Sequence, residues 1–137
     1  MKKDIREAVQ LQKINLQSLT AVRNDITDDS FNIYVKFDQD IKKDDNNKTH
    51  IQCSLEVGNE QQPFTINLLM NVYFKKLDES TSGDEILKNM ERFYFPILSE
   101  ASLVIAQATA SMNYPPLIIS PKELLKQKEE KEKTEDS

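Results

Sequence analysis

Apolar and polar residues alternate along the first half of the chain and change rhythm in the second half. Phe64, Ile66, Leu68, Met70, Val72 and Phe74 occupy every second position, the period of a strand with one face buried. The same alternation places Phe31, Ile33, Val35 and Phe37 on one strand and Ile51, Cys53, Leu55 and Val57 on its return. Between these two, KKDDNNK (42 to 48) reads as a solvated hairpin tip, and GNEQQP (58 to 63) as the following turn. Residues 9 to 22, VQLQKINLQSLTAV, are less regular. Val9 and Leu11 alternate, the phase shifts to Ile14 and Leu16, and it shifts again at Leu19. Such slips predict a long strand with a bulge or bend. Leu11 and Ile14 also suit one face of a helix, but the next position on that face is the polar Ser18. Short turns between successive strands predict a four-stranded antiparallel meander.

After residue 80 the spacing becomes three and four. Ser82-Gly-Asp-Glu85 has the form of a capping box opening a helix. Ile86, Met90, Phe93, Ile97, Ala101, Val104, Ala108 and Met112 then mark one helical face. Pro96 interrupts this face, predicting a short helix ending near Phe95 and a main helix with Pro96 in its first turn. The main helix also carries Leu98 and Ile105 beside that face, which predicts a second apolar stripe and hence a homo-oligomer. Ala101, Ala106, Ala108 and Ala110 would let another helix or a sheet approach closely. The fold class expected is α+β, with the sheet first and the helices packed on one of its faces.

Two prolines in YPPLIISP (114 to 121) bar the main helix from continuing. This connector still carries a dense apolar run. Either it lies as a lid over the core or it borders a groove that holds something else. Beyond Pro121 a further helix is expected around Leu124 and Leu125. The organisation is therefore one domain over residues 1–126 and a charged tail over 127–137, with nothing in the tail to bury.

Composition narrows the function. The 137 residues are 38% hydrophobic and 30% charged, with a net charge of −5. That charge disfavours non-specific binding to nucleic acid or anionic membrane, and a basic protein is the natural electrostatic match. No apolar run approaches the ~20 residues of a membrane span, and no signal peptide is apparent, so a cytoplasmic protein is expected. Cys53 and His50 are the only residues of their kinds. They fall on opposite faces of a strand, which excludes a shared metal site or a Cys–His nucleophile pair. DQDIKKDDNNK lacks the central glycine and terminal glutamate of a calcium loop. The two glycines, Gly58 and Gly83, are too far apart for a phosphate cradle. Tyr34, Tyr73 and Phe74 could stack on bases, but no basic groove is evident in the sequence around them. Neither an enzyme nor a cofactor is expected.

Phe95-Pro96 opening the longer helix, then Tyr114-Pro-Pro-Leu117 and Ile118-Ile-Ser-Pro121, resembles the SecB-type protein-export chaperones. VQLQKINLQSLT looks like that family's first strand, and the resemblance spans residues 9 to 125 or so. It implies an ATP-independent holdase that binds unfolded or preprotein polypeptides in long grooves and assembles as a homodimer or homotetramer. The groove positions it implies are Ile33, Val35 and Phe37, Phe64, Tyr114, Pro115, Pro116, Leu117 and Ile118, and Leu124 and Leu125. Export members contact the translocation ATPase SecA through acids on the first strand and a Leu-x-Glu on the last. Ser18, Val22, Thr65 and Asn67 stand at the matching positions here, so SecA binding is doubtful. SecB-like relatives also serve toxin–antitoxin systems. The alternative to a general holdase is a SecB-fold adaptor for one specific protein partner.

Overall fold

A computed structural model describes residues 4–24, 35–59 and 61–112. A single helical turn, α1 (Ile5–Ala8), leads straight into β1 (Val9–Arg23). Asp4 caps that turn, accepting from the Arg6 amide at 2.9 Å and pairing with its guanidinium at 3.1 Å. Three further strands follow: β2 (Val35–Asp44), β3 (Lys48–Gly58) and β4 (Phe64–Lys76). The phase slips read in β1 are bulges. Its ladder with β4 shifts register between Leu11 and Lys13 and again between Leu16 and Ser18, so Gln12 and Gln17 are the extra residues.

All three strand pairings are antiparallel, but the order is β1-β4-β3-β2, which corrects the simple meander. Only β2, β3 and β4 follow one another as hairpins. β1 and β2, consecutive in sequence, occupy opposite edges. The reason is that alternation fixes which face of a strand is buried, not which strand lies beside it. β4 alternates most regularly and takes a central place. The first hairpin tip is also tighter than expected: β2 runs on to Asp44, with a register shift between Ile41 and Lys43. The turn is closed by the Asp45 amide donating to the Lys48 carbonyl at 2.9 Å.

Ser82 caps α2 (Gly83–Lys88) as the sequence predicts, its hydroxyl accepting from the Glu85 amide at 3.1 Å. The helix break comes earlier than expected. A 3-10 turn over Met90–Phe93 separates α2 from α3 (Tyr94–Ser111), and Pro96 is the third helical residue. Its missing N–H is one of the donors that a first turn leaves without an intrahelical partner anyway.

Both helices cover the face of the sheet that carries Ile51, Leu55, Ile66, Met70 and Phe74. Phe93 meets Phe74 edge-on with ring centroids 4.9 Å apart, and Tyr94 meets Phe37 at 5.3 Å. Leu98 and Ile105 are buried in this same core alongside Ile97 and Ala101, so they form no second, uncovered stripe. The helix packs closely enough on the sheet to bury a wider arc than one row of side chains.

The far end of the sheet is tied to α2 by one carboxylate. Asp44 accepts from Lys76 Nζ at 2.7 Å, from the Gly83 amide at 2.8 Å and from the Thr49 hydroxyl at 3.0 Å. Chiefly because of Lys76, its pKa is held below the usual carboxylate range, against the opposing effect of burial.

Candidate functional site

On the helix side of the sheet, α3 contacts β1 but leaves the middle of that strand uncovered. Leu16 and Leu19 pair with Met70 and Leu68, so their side chains point to the same face as those core residues. Met70 and Leu68 are buried, whereas Leu16 and Leu19 remain 45% and 42% exposed. Across from them, α3 turns an apolar stripe outward. Phe95 is 65% and Leu103 57% exposed. At 100° per residue they share about a quarter of the helix circumference with Ser99, Ala106 and Ala110. Glu100 is the only charged residue in α3, and it flanks this stripe. The end of β1 is held to the end of α3 where Arg23 Nη1 donates to the Met112 carbonyl at 3.4 Å. The result is two exposed apolar patches, one on the edge strand and one on the outward face of α3, each suited to contact with apolar polypeptide.

The groove positions implied by the sequence divide into two sets. Val35, Phe37 and Phe64 lie on this same helix-facing side and are buried in its core, at 4–8% exposure. Ile33, Tyr114, Pro115, Pro116, Leu117, Ile118, Leu124 and Leu125 lie outside the described residues, as do the connector, the helix around Leu124 and the charged tail. Leu16, Leu19, Phe95 and Leu103 were not singled out from the sequence. The slip in β1's phase was legible and places Leu16 and Leu19 on the core face. What leaves Leu16 and Leu19 uncovered is the path of α3 over the sheet, which no local pattern encodes.

The opposite face of the sheet is polar. Ser18, Thr20, Asn67 and Leu69 share a shallow cleft there with Lys36, Asp38, Ser54 and Glu56. Val22 stands directly opposite Thr65 on the same face. The four positions matched to the SecA contacts therefore do gather on one surface, formed by β1 and β4, and none of them is charged.

Cys53 is buried on the helix side while His50 is on the outer face, as strand alternation requires. Among the described residues, no three His, Cys, Asp or Glu side chains converge to hold a metal ion. No helix among them is long and apolar enough to cross a membrane.

No protein-family model matches the sequence, and no curated protein matches it. Solved structures do. The Mycobacterium tuberculosis SecB-like chaperone, in complex with a ChAD peptide from the HigA1 antitoxin, superposes with a TM-score of 0.69 at 14% identity, over 85% of this chain and 91% of that one. A Streptococcus agalactiae protein of unknown function gives a TM-score of 0.47 at 12% identity, over 82% of this chain and 96% of its own. The fold is SecB-like: a four-stranded antiparallel sheet followed by helices.

Proposed function

We propose that this chain is an ATP-independent, cytoplasmic holdase that binds unfolded polypeptide and works as a homo-oligomer. The observation that carries this reading is exposed apolar surface on a SecB-like scaffold, Leu16 and Leu19 on the open edge strand and Phe95 and Leu103 on the outward face of α3. A binder of many non-native sequences needs accessible apolar surface and a free strand edge more than one shaped pocket. β1 supplies such an edge, with only Lys13 and Arg23 charged along its length. Further client positions are Val35, Phe37 and Phe64, with Ile33, Tyr114, Pro115, Pro116, Leu117, Ile118, Leu124 and Leu125. Holding clients requires neither a cofactor nor catalysis. With Ser18, Val22, Thr65 and Asn67 at the SecA-matching positions, no charge-assisted pairs form there, so SecA binding is expected to be weak or absent, whether the chain serves export or a toxin–antitoxin-type system.

The experiment is aggregation suppression with several unrelated unfolded proteins. The wild-type chain is expected to protect them all. Leu16→Ser/Leu19→Ser is expected to protect several-fold less well while remaining folded, because partly exposed aliphatics contribute only a fraction of the ~1.5–3 kcal/mol of a buried one, and Leu117→Ser/Ile118→Ser is expected to protect several-fold less well per folded molecule. Undiminished protection by both double variants would remove the reading. The antitoxin peptide on the Mycobacterium tuberculosis structure favours one second reading, an adaptor for a single partner. An adaptor would leave all the unfolded proteins to aggregate.

A further inference from the structure

The ladder registers align four residues in a row across the outer face. Lys43 on β2 pairs with His50 on β3, His50 with Tyr73 on β4, and Tyr73 with Lys13 on β1. The row spans the whole sheet, about 14 Å at ~4.8 Å per strand spacing. Lys48 and Lys75 form the next pair on the same face. The imidazole of His50 stacks on the Tyr73 ring with centroids 4.6 Å apart and planes 17° from parallel. Its Nε2 is 2.8 Å from Asn71 Oδ1, which fixes the ring's orientation. A cleft of about 550 Å³ opens here, lined by Gln12, Lys13, Lys43, Lys48, His50 and Tyr73. Gln12 is the extra residue of the first β1 bulge, so the bulge shapes the cleft's rim. Among the described residues, no carboxylate lies within 4 Å of the Lys13, Lys48 or Lys75 ammonium, and Lys43 has only the exposed Asp45 at 3.6 Å. The basic surroundings of Tyr73 that the linear sequence did not reveal are assembled by the register.

We propose that this cationic, aromatic-centred cleft binds a short acidic peptide segment that carries a planar side chain between its carboxylates. Lysines at both ends of the row would meet the carboxylates, and the stacked pair would offer ring surface to the planar group. The rest of the same face limits the ligand's length. Asp38, Asp40 and Glu56 follow on the outer side of β2 and β3, the first two paired with Lys36 and Lys42 at 3.9 and 3.1 Å, so a longer polyanion leaving the cleft in that direction meets acids and, among the described residues, no further run of unpaired lysines. That limit, together with the net charge of −5, favours a short acidic peptide over a nucleic-acid strand. The site is on the face opposite the proposed client surface and does not depend on that reading.

The test is fluorescence anisotropy on the full chain with fluorescein-labelled Glu-Tyr-Glu-Glu-Tyr-Glu. Parallel titrations use Lys-Tyr-Lys-Lys-Tyr-Lys and single-stranded oligothymidylate. The acidic peptide is expected to bind with strong salt dependence, and the basic peptide not at all. Lys13→Glu/Lys48→Glu is expected to weaken binding at least ~10-fold, and Tyr73→Ser several-fold, with urea midpoints near wild type because these side chains are not in the core. Lys13→Gln/Lys48→Gln, a milder pair, should give an intermediate loss. Absence of acidic-peptide binding, equal affinity in the lysine variants, or tighter binding of the oligothymidylate would each overturn the proposal.

Discussion

Lys76 keeps only 5% of its side chain exposed, while its partner Asp44 retains 36%. That asymmetry predicts unequal losses. Asp44→Asn leaves a buried ammonium without its counter-ion and should cost about 1–3 kcal/mol, reduced from a fully buried pair because water reaches the aspartate side. Lys76→Met removes the buried charge and leaves Asp44 with water, Thr49 and Gly83, so it should cost under about 1 kcal/mol. Urea midpoints at neutral pH check the order, and a larger loss in Lys76→Met would contradict it. The pH dependence has a definite sign. The pKa of Asp44 is lowered on folding, so its contribution is complete above the unfolded value of ~3.9 and is lost as pH falls through the lower folded value. The advantage of wild type over Asp44→Asn should hold through neutral pH and vanish only in strong acid. In the sequence Asp44 reads as one acid of a solvated tip, because Lys76 and Gly83 are brought to it only by the β3–β4 register and the docking of α2.

Among the elements, the β3–β4 hairpin depends on one backbone conformation. Gly58 has a φ of +78°, and a Cβ there would overlap the Phe64 carbonyl oxygen. Gly58→Ala should therefore cost more than the ~1 kcal/mol of a left-handed alanine alone, since the turn must also open. Thermal unfolding measures this, and a near-neutral change would mean that the turn relaxes freely. Strands and helices were largely legible because burial on one face imposes period two on the strands, and three to four on the helices. β4 shows it at every second residue, and Ser82 marks the start of α2 by its cap. Strand order was not legible, because pairing partners are chosen by register between distant segments. The helix break was misplaced because Pro96 is as well suited to the third helical position as to the first.

For the whole molecule, the outward stripe of α3 is the feature a monomer leaves unused. An exposed Phe95 and Leu103 with small residues between them fit a second copy, which leaves Leu16 and Leu19 on β1 for clients. Sedimentation at tens of micromolar, roughly ten times a micromolar dissociation constant, should show a dimer or larger. Leu103→Lys should shift it toward monomer with little loss of protomer stability. A wild-type monomer under those conditions would contradict this. The net charge was legible as an overall sign but not as a distribution. Lys13, Lys43, Lys48 and Lys75 belong to four different strands, so their gathering around His50 and Tyr73 is a property of the sheet and not of any segment.

The place of β1 beside β4 also sets a timetable. β2, β3 and β4 can pair as soon as each hairpin has been made, since Asp44 meets Thr49 and Gly58 meets Thr65 across short turns. β1 leaves the ribosome first, yet Val9 has no ladder partner until Lys76 has been synthesised. At ~5–20 residues per second the strand waits for seconds, and on refolding it bears the largest loop-closure cost of any strand. Its amides should therefore gain protection after those of β3 and β4 in pulse-labelled hydrogen exchange. Until then the edge of β4 that β1 will cover is open. A nascent chain of this protein is, for that interval, itself a polypeptide in need of being held.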